Sequence, residues 1–324
     1  MTDPVAAGSG HRRAVLFPGQ GSQFVGMAAD LVDSYPVARS LFEDASDRLG
    51  EDLLTLCASG PKQRLNDTDI SQPAIFVASM AVLRVLEQLG GGHLLQAQAT
   101  AGLSLGEYSA LVFAGSLRFE DALEVVVARG RAMQRACDRV EGTMSSILGL
   151  ELPQVREAVE AGQAAGVVTI ANVNASTQIV ISGEIKAVRR AAEVAQEMGA
   201  RRVIELEVAG AYHSPLMAGA TEQLTPVLEA LDIERPRIPF YPNVVAEPVD
   251  EPRQIRECLV RQVESSVLWQ PTLQALVDDG LDEVIEPGPG RVVAGLLKQV
   301  DRGIPTHSIL NRESIEEILE GTVS

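Results

Sequence analysis

The sequence predicts an α/β protein with a smaller α+β unit inserted into it, and three observations carry that prediction. Short apolar runs, tight glycine turns and amphipathic stretches alternate at both ends of the chain. Between about residues 141 and 207 the rhythm changes to strand, helix, strand, strand, helix, strand. With 324 residues, 46% of them hydrophobic, the chain also has ample apolar material for a large core.

Residues 1–12 are small, polar and glycine-rich, unlike a signal peptide, and read as a disordered leader. Arg13 to Phe17 is a short apolar run entering Pro18-Gly19-Gln20-Gly21-Ser22-Gln23, a strand and then a tight loop. Helical spacing covers Met27 to Leu49 and again Pro73 to Leu89, after which Gly90, Gly91 and Gly92 break the chain. Ala97 to Leu103 is strand-like, and Ser104 opens a helix from Leu105 to Ala114. The next helix, Phe119 to Arg139, sets Ala122, Val125, Val126, Arg129 and Met133 along one side, so an arginine interrupts an apolar stripe. Strands at Gly142 to Leu150, Val167 to Asn172, Gln178 to Ser182 and Arg202 to Val208 enclose helices at Pro153 to Gly162 and Ile185 to Met198. That order is the ferredoxin-like arrangement. Strands near Ile238 to Tyr241 and Glu283 to Ile285 then restore the α/β pattern. The expected division is a leader at 1–12, a large α/β domain at 13–140 and 208–324, and a small ferredoxin-like domain at 141–207.

Composition narrows the function classes. A net charge of −17 would repel phosphate and argues against a nucleic-acid binder. The longest apolar stretch, Pro73 to Leu83, is about half a bilayer span, so no membrane association is expected. Cys57, Cys137 and Cys258 are odd in number and far apart, which fits core thiols in a reducing compartment better than disulfides or a zinc site. A cytoplasmic monomer is expected, without metal or cofactor.

The chemistry centres on Gly102-Leu103-Ser104-Leu105-Gly106. A strand running into Gly-x-Ser-x-Gly and then a helix is the nucleophile elbow of α/β-hydrolase-like folds. Its glycines permit a turn sharp enough to lift the serine hydroxyl clear, and the helix start favours negative charge there. The competing reading is a glycine-rich turn with a capping serine. A serine nucleophile needs a base, and of the four histidines, His213 lies in a loop after the last strand of the insert. A buried structural histidine is the alternative. Gly19-Gln20-Gly21 lacks the third glycine of a dinucleotide loop, because Phe24 stands there. It suits one half of an oxyanion hole, or an ordinary tight turn.

In a series of ordered segments the chain resembles the malonyl-CoA:acyl-carrier-protein transacylase family. Phe17 to Gln23, Ser71-Gln72-Pro73-Ala74, Gly102 to Tyr108 and Ala128 to Gln134 carry the likeness in the first half. Gln178 to Gly183, Tyr212-His213-Ser214, and the group of Asn243, Val260-Arg261-Gln262 and Glu286 to Gly290 complete it. The resemblance implies malonyl-CoA and an acyl carrier protein as partners, with Ser104 attacking the thioester and His213 taking its proton. It implies that the backbone carbonyl of Gln262 orients the imidazole, and that the backbone N–H groups of Gln20 and Leu105 hold the oxyanion. Because Gln262 is implied only through its main chain, replacing it by alanine is expected to matter little. Arg129 would grip the free carboxylate of malonyl, with an ion pair to an internal acid as the alternative. Gln72, Met133, Tyr212 and Asn243 would complete the substrate site, Tyr212 crowding any α-methyl group. Leu103 departs from the family's usual histidine. Lys298 aligns with a carrier-docking position but lacks the second base beside it, and Arg189 and Arg190 offer another basic patch, though a solvated face is equally open. A thioesterase on the same fold and a non-catalytic scaffold are the competing functions. Arg129 weighs against the first, and an intact Ser104 and His213 against the second.

Overall fold

The computed structural model describes residues 11–321; residues 1–10, most of the expected leader, lie outside them. The end of that leader already belongs to the fold. His11 Nε2 lies 2.9 Å from Glu283 Oε2, and the Arg12 N–H donates to Asp282 Oδ2 at 2.7 Å.

The described strands form two sheets. The large one has the order β7-β2-β1-β8-β9, built from Arg13–Phe17 (β1), Ala99–Gly102 (β2), Phe240–Tyr241 (β7), Glu283–Pro287 (β8) and Thr306–Ile309 (β9). All its pairings are parallel. Strand β1 lies at its centre, and Ala14, Val15, Leu16 and Phe17 have no exposed surface, which explains their unbroken apolar run. The chain steps outward from β1 to β2 and β7, then returns to the other side of β1 for β8 and β9. Gln20 follows the carboxyl end of β1 and Ser104 that of β2, so both stand where parallel sheets place their ligands.

The second sheet is antiparallel, in the order β4-β5-β3-β6, from Thr143–Leu148 (β3), Val168–Ala175 (β4), Gln178–Gly183 (β5) and Arg202–Glu205 (β6). Helices Leu152–Gly162 and Ile185–Glu197 pack together with these strands around a core of their own. One segment of the large unit bonds directly to the backbone of the small sheet. The Val173 N–H donates to the Val267 carbonyl at 2.9 Å, and the Val267 N–H to the Ala171 carbonyl at 2.8 Å.

Several boundaries differ from the sequence reading. The stretch Met27 to Leu49 is two helices, Ala29–Ser34 and Pro36–Leu49, because Pro36 cannot continue the first and is suited to start the second. Strand β6 stops at Glu205, short of Val208, and β9 and the short helices Leu53–Ser59 and Lys62–Asn66 went unrecognised. The helix expected from Pro73 starts at Thr68 and runs to Gln88. Its entry turn is fixed by Arg64, which bonds to Glu51, Asp67 and Asp69. At 21 residues it is long and apolar enough to cross a bilayer, contrary to the estimate from Pro73 to Leu83, yet it is buried inside the protein. It packs against Phe119–Arg139, and Gly130 allows that approach, since a Cβ there would lie 2.9 Å from the Thr68 carbonyl oxygen. This contact carries Gln72 and Arg129 to the same place.

Candidate active site

The elbow is shaped by what cannot fit. A Cβ on Gly102 would meet the Gly106 carbonyl carbon at 2.0 Å, and one on Gly106 would meet the Phe17 carbonyl oxygen at 2.7 Å. Strand and helix therefore close on each other only with glycine at both positions. Between them Ser104 adopts φ +49°, a left-handed backbone that costs a non-glycine residue about 1–3 kcal/mol. Three hydrogen bonds offset that cost. The Ser104 N–H donates to Asn243 Oδ1 at 2.7 Å, Asn243 Nδ2 donates to the Gly102 carbonyl at 2.8 Å, and Gln262 Nε2 donates to the Ser104 carbonyl at 2.9 Å.

Ser104 Oγ lies 2.9 Å from His213 Nε2. On the other side of the ring, Nδ1 faces the main-chain carbonyls of Gln262 at 2.9 Å and Ser265 at 3.2 Å. Carbonyls only accept, so Nδ1 carries the proton and Nε2 is left to receive one from serine. Burial, then the neighbouring charge of Arg129, lowers the His213 pKa to about 4, against the pull of the two carbonyls. The imidazole is thus neutral at physiological pH. Neither the Gln20 nor the Leu105 backbone N–H meets an acceptor among the described residues.

Arg129 is 1% exposed. Nη1 donates to Gln72 Oε1 at 2.6 Å, and Nη2 to Ser104 Oγ and Gln262 Oε1, each at 2.9 Å. Its Nε meets no acceptor, and the Tyr108 ring centroid lies 5.9 Å from Cζ. Every one of these partners is neutral. Among the described residues no carboxylate forms an ion pair with Arg129, so the reading of a structural ion pair fails. A cation kept in this state is set to receive an anion beside the nucleophile. A cleft of about 430 Å³ opens onto the site, lined by Gln20, Ser104, Met133, Tyr212 and His213 on one side and by Met144, Asn172 and Asn174 of the small unit on the other. The arrangement can form an acyl-serine from an activated acyl group that ends in a carboxylate.

The family described as "Acyl transferase domain" matches residues 15–310. The malonyl CoA-acyl carrier protein transacylase of Bacillus subtilis is 41% identical over 304 residues, 94% of this chain and 95% of that one. That of Escherichia coli K12 is 40% identical over 302 residues, 93% and 96% of the two chains. The chain belongs to the malonyl-CoA:acyl-carrier-protein transacylase family. Solved transacylase structures agree with the fold. The malonyl CoA-acyl carrier protein transacylase of Coxiella burnetii superposes with a TM-score of 0.91 at 37% identity, covering 96% of this chain and 97% of that one. A malonyl-transacylase in complex with a type II PKS acyl-carrier protein superposes with a TM-score of 0.90 at 38% identity, covering 96% and 99%.

The remaining residues expected from this transacylase resemblance fall in different places. Gln72 bridges the site, with Nε2 3.4 Å from Met133 Sδ and 3.5 Å from Gln20 Oε1. Tyr212 walls the cleft, its hydroxyl bonded to Thr68 Oγ1. Asn243 was expected to touch substrate. Instead it is fully buried and spends both amide atoms on the elbow backbone, so it positions the nucleophile. Gln262 was expected to act through its main chain alone. Its side chain in fact joins the Ser104 carbonyl to the Arg129 guanidinium. Lys298 is exposed on helix Val292–Val300, whose Val292 and Leu296 reach the cleft. Arg189 and Arg190 already meet acids of their own unit, Glu205 at 3.8 Å and Glu193 at 3.1 Å, which weakens them as a docking patch. The sequence reading missed Lys62 at the cleft and Glu107 behind the elbow, since neither position is distinguishable from a solvated helix charge by pattern.

Two outcomes are expected. Replacing Gln262 by alanine leaves the Ser104 carbonyl and one Arg129 donor unpaired in a buried site, at about 1–3 kcal/mol each. Initial rates of serine acylation should therefore fall by at least about tenfold, whereas a rate close to wild type would return Gln262 to a main-chain role. Secondly, kcat/KM reports the free enzyme's base. With the His213 pKa near 4, its acid limb should lie near pH 4. A pH–rate profile that falls through the ordinary histidine range, about 6.5, would contradict that.

Proposed function

We propose that this protein moves a malonyl group from CoA, through an ester on Ser104, to the phosphopantetheine thiol of an acyl carrier protein. The observation that carries the reading is a buried Arg129 whose partners are all neutral, 2.9 Å from the nucleophile. In the first half-reaction Ser104 Oγ attacks the thioester carbonyl while His213 Nε2 takes its proton. The Gln20 and Leu105 N–H groups receive the negative oxygen of the tetrahedral intermediate. The C–S bond breaks, and His213 returns the proton to the departing CoA thiolate. In the second half-reaction the carrier thiol gives its proton to His213 and attacks the ester, and Ser104 leaves reprotonated. The scheme needs no cofactor.

Throughout, Arg129 would hold the distal carboxylate with two charge-assisted bonds, helped by Gln72 and enclosed by Met133 and Tyr212. The thioesterase alternative finds no support among the relatives described, which are transacylases. The carrier would approach over the cleft mouth, where Lys62 lines the cleft and Lys298 is exposed on the helix whose Val292 and Leu296 reach it, against an overall charge of −17. Strand order β4-β5-β3-β6, with helices after β3 and β5, supports a ferredoxin-like small domain at 141–207. The parallel sheet with its serine elbow supports an α/β-hydrolase-like large domain at 13–140 and 208–324. A cytoplasmic setting, on the buried free Cys57, Cys137 and Cys258, and a monomer belong to the same proposal.

Arg129→Ala tests the substrate class. Hydrogen bonds to charged groups contribute about 1.5–3 kcal/mol each, so malonyl loading should fall by at least about tenfold. Acetyl loading should hold or rise, because the unpaired charge leaves with the side chain. Competition between acetyl-CoA and malonyl-CoA on both proteins gives the answer, and a wild type that prefers acetyl-CoA would end the dicarboxylate reading.

A further inference from the structure

Glu107 lies in the first turn of helix Gly106–Phe113, fully buried, and no step above uses it. Its Oε1 accepts the main-chain N–H of Asn243, and its Oε2 meets no donor. Asn243 is held on its other side by the Leu268 N–H, which donates to its carbonyl at 2.8 Å. The amide that braces Ser104 is thus itself braced by a carboxyl group. A glutamine would accept the same N–H, so hydrogen bonding alone does not call for an ionisable group where burial is costly. Its counterpart is Arg129, the buried cation whose field acts on Glu107 and is felt in return.

We propose that Glu107 is a positioning residue that, as a neutral acid, braces Asn243 beneath the elbow, and that its ionisation draws Arg129 away from a substrate carboxylate. The proposal rests on the carboxylate-bearing substrate assigned above. Gln262 stands between the two groups: its Oε1 accepts from Arg129 Nη2 at 2.9 Å, and its side chain faces Glu107. Burial, opposed by the Asn243 N–H and then by Arg129, raises the Glu107 pKa to about 8. The groups facing it titrate elsewhere. Burial pushes Tyr108 up to about 12 and Cys258, on helix Pro252–Gln262, up to about 11, while His213 beside Arg129 lies down near 4. The sign follows from the raised pKa. Above about pH 8 Glu107 is ionised and competes for Arg129; below it Glu107 is neutral and Arg129 is free for substrate.

The test is steady-state malonyl transfer from malonyl-CoA to carrier thiol, from about pH 6 to 9.5, for wild type, E107Q and E107L. In wild type, KM should climb above pH 8, approaching tenfold per pH unit for one ionisation. E107L loses the acceptor for Asn243, and its kcat should fall by about tenfold or more at every pH. E107Q keeps the acceptor, so it should recover most of that kcat while its KM stays flat with pH. A KM for E107Q that climbs as in wild type would overturn the role of Glu107 ionisation, and a folded E107L with wild-type kcat would overturn the bracing role. Absence of malonyl transfer by wild type at pH 7 is a separate result, which would remove the substrate assignment and this proposal with it.

Discussion

A guanidinium cannot shed its charge, so burying Arg129 dictates what may surround it. Its neighbours are acceptors without formal charge: two glutamine oxygens, the Ser104 hydroxyl and the face of Tyr108. Burial, with the same charge beside it, keeps His213 neutral, which a base must be. It also accounts for the third member of the catalytic set. A carboxylate orienting His213 would bring a formal negative charge into the field of a cation meant for substrate, and compete for it. Main-chain carbonyls from Gln262 and Ser265 orient the ring without that competition.

The nucleophile and the base share a second constraint. Ser104 has φ +49° and His213 φ +56°, conformations that persist only where the surroundings over-determine them. At Ser104 the side chains of Asn243 and Gln262 do so. At His213 the fixed points are the carbonyls just before Val267, and Val267 is itself stitched into β4. The small sheet therefore supplies one wall of the cleft and also steadies the segment that orients the base.

Much of this was legible in the sequence because the elements that place the site announce themselves locally. Strand β1, the elbow and helix Phe119–Arg139 have strong apolar runs, obligatory glycines or a clear stripe, and they appear where expected. What escaped depends on partners remote in sequence. The Thr68 turn is set by Arg64 reaching three carboxylates, so Pro73 was mistaken for the start of its helix. Strand β9 is short and half exposed, and it exists because β8 pairs with it. Ser104 and His213 could be singled out as nucleophile and base by type and context. The side-chain duties of Gln262 and Asn243 could not, since an amide in sequence does not reveal which backbone it will brace.

The central claim is that a buried, unpaired cation beside a serine nucleophile selects a carboxylate-bearing acyl group for transfer. Intact-protein mass spectrometry after brief exposure to an equimolar mixture of malonyl-CoA and acetyl-CoA tests it most directly. The account predicts a malonyl adduct in wild type, removed on adding carrier thiol and absent from Ser104→Ala. An adduct that is chiefly acetyl, or one that survives in Ser104→Ala, would contradict it.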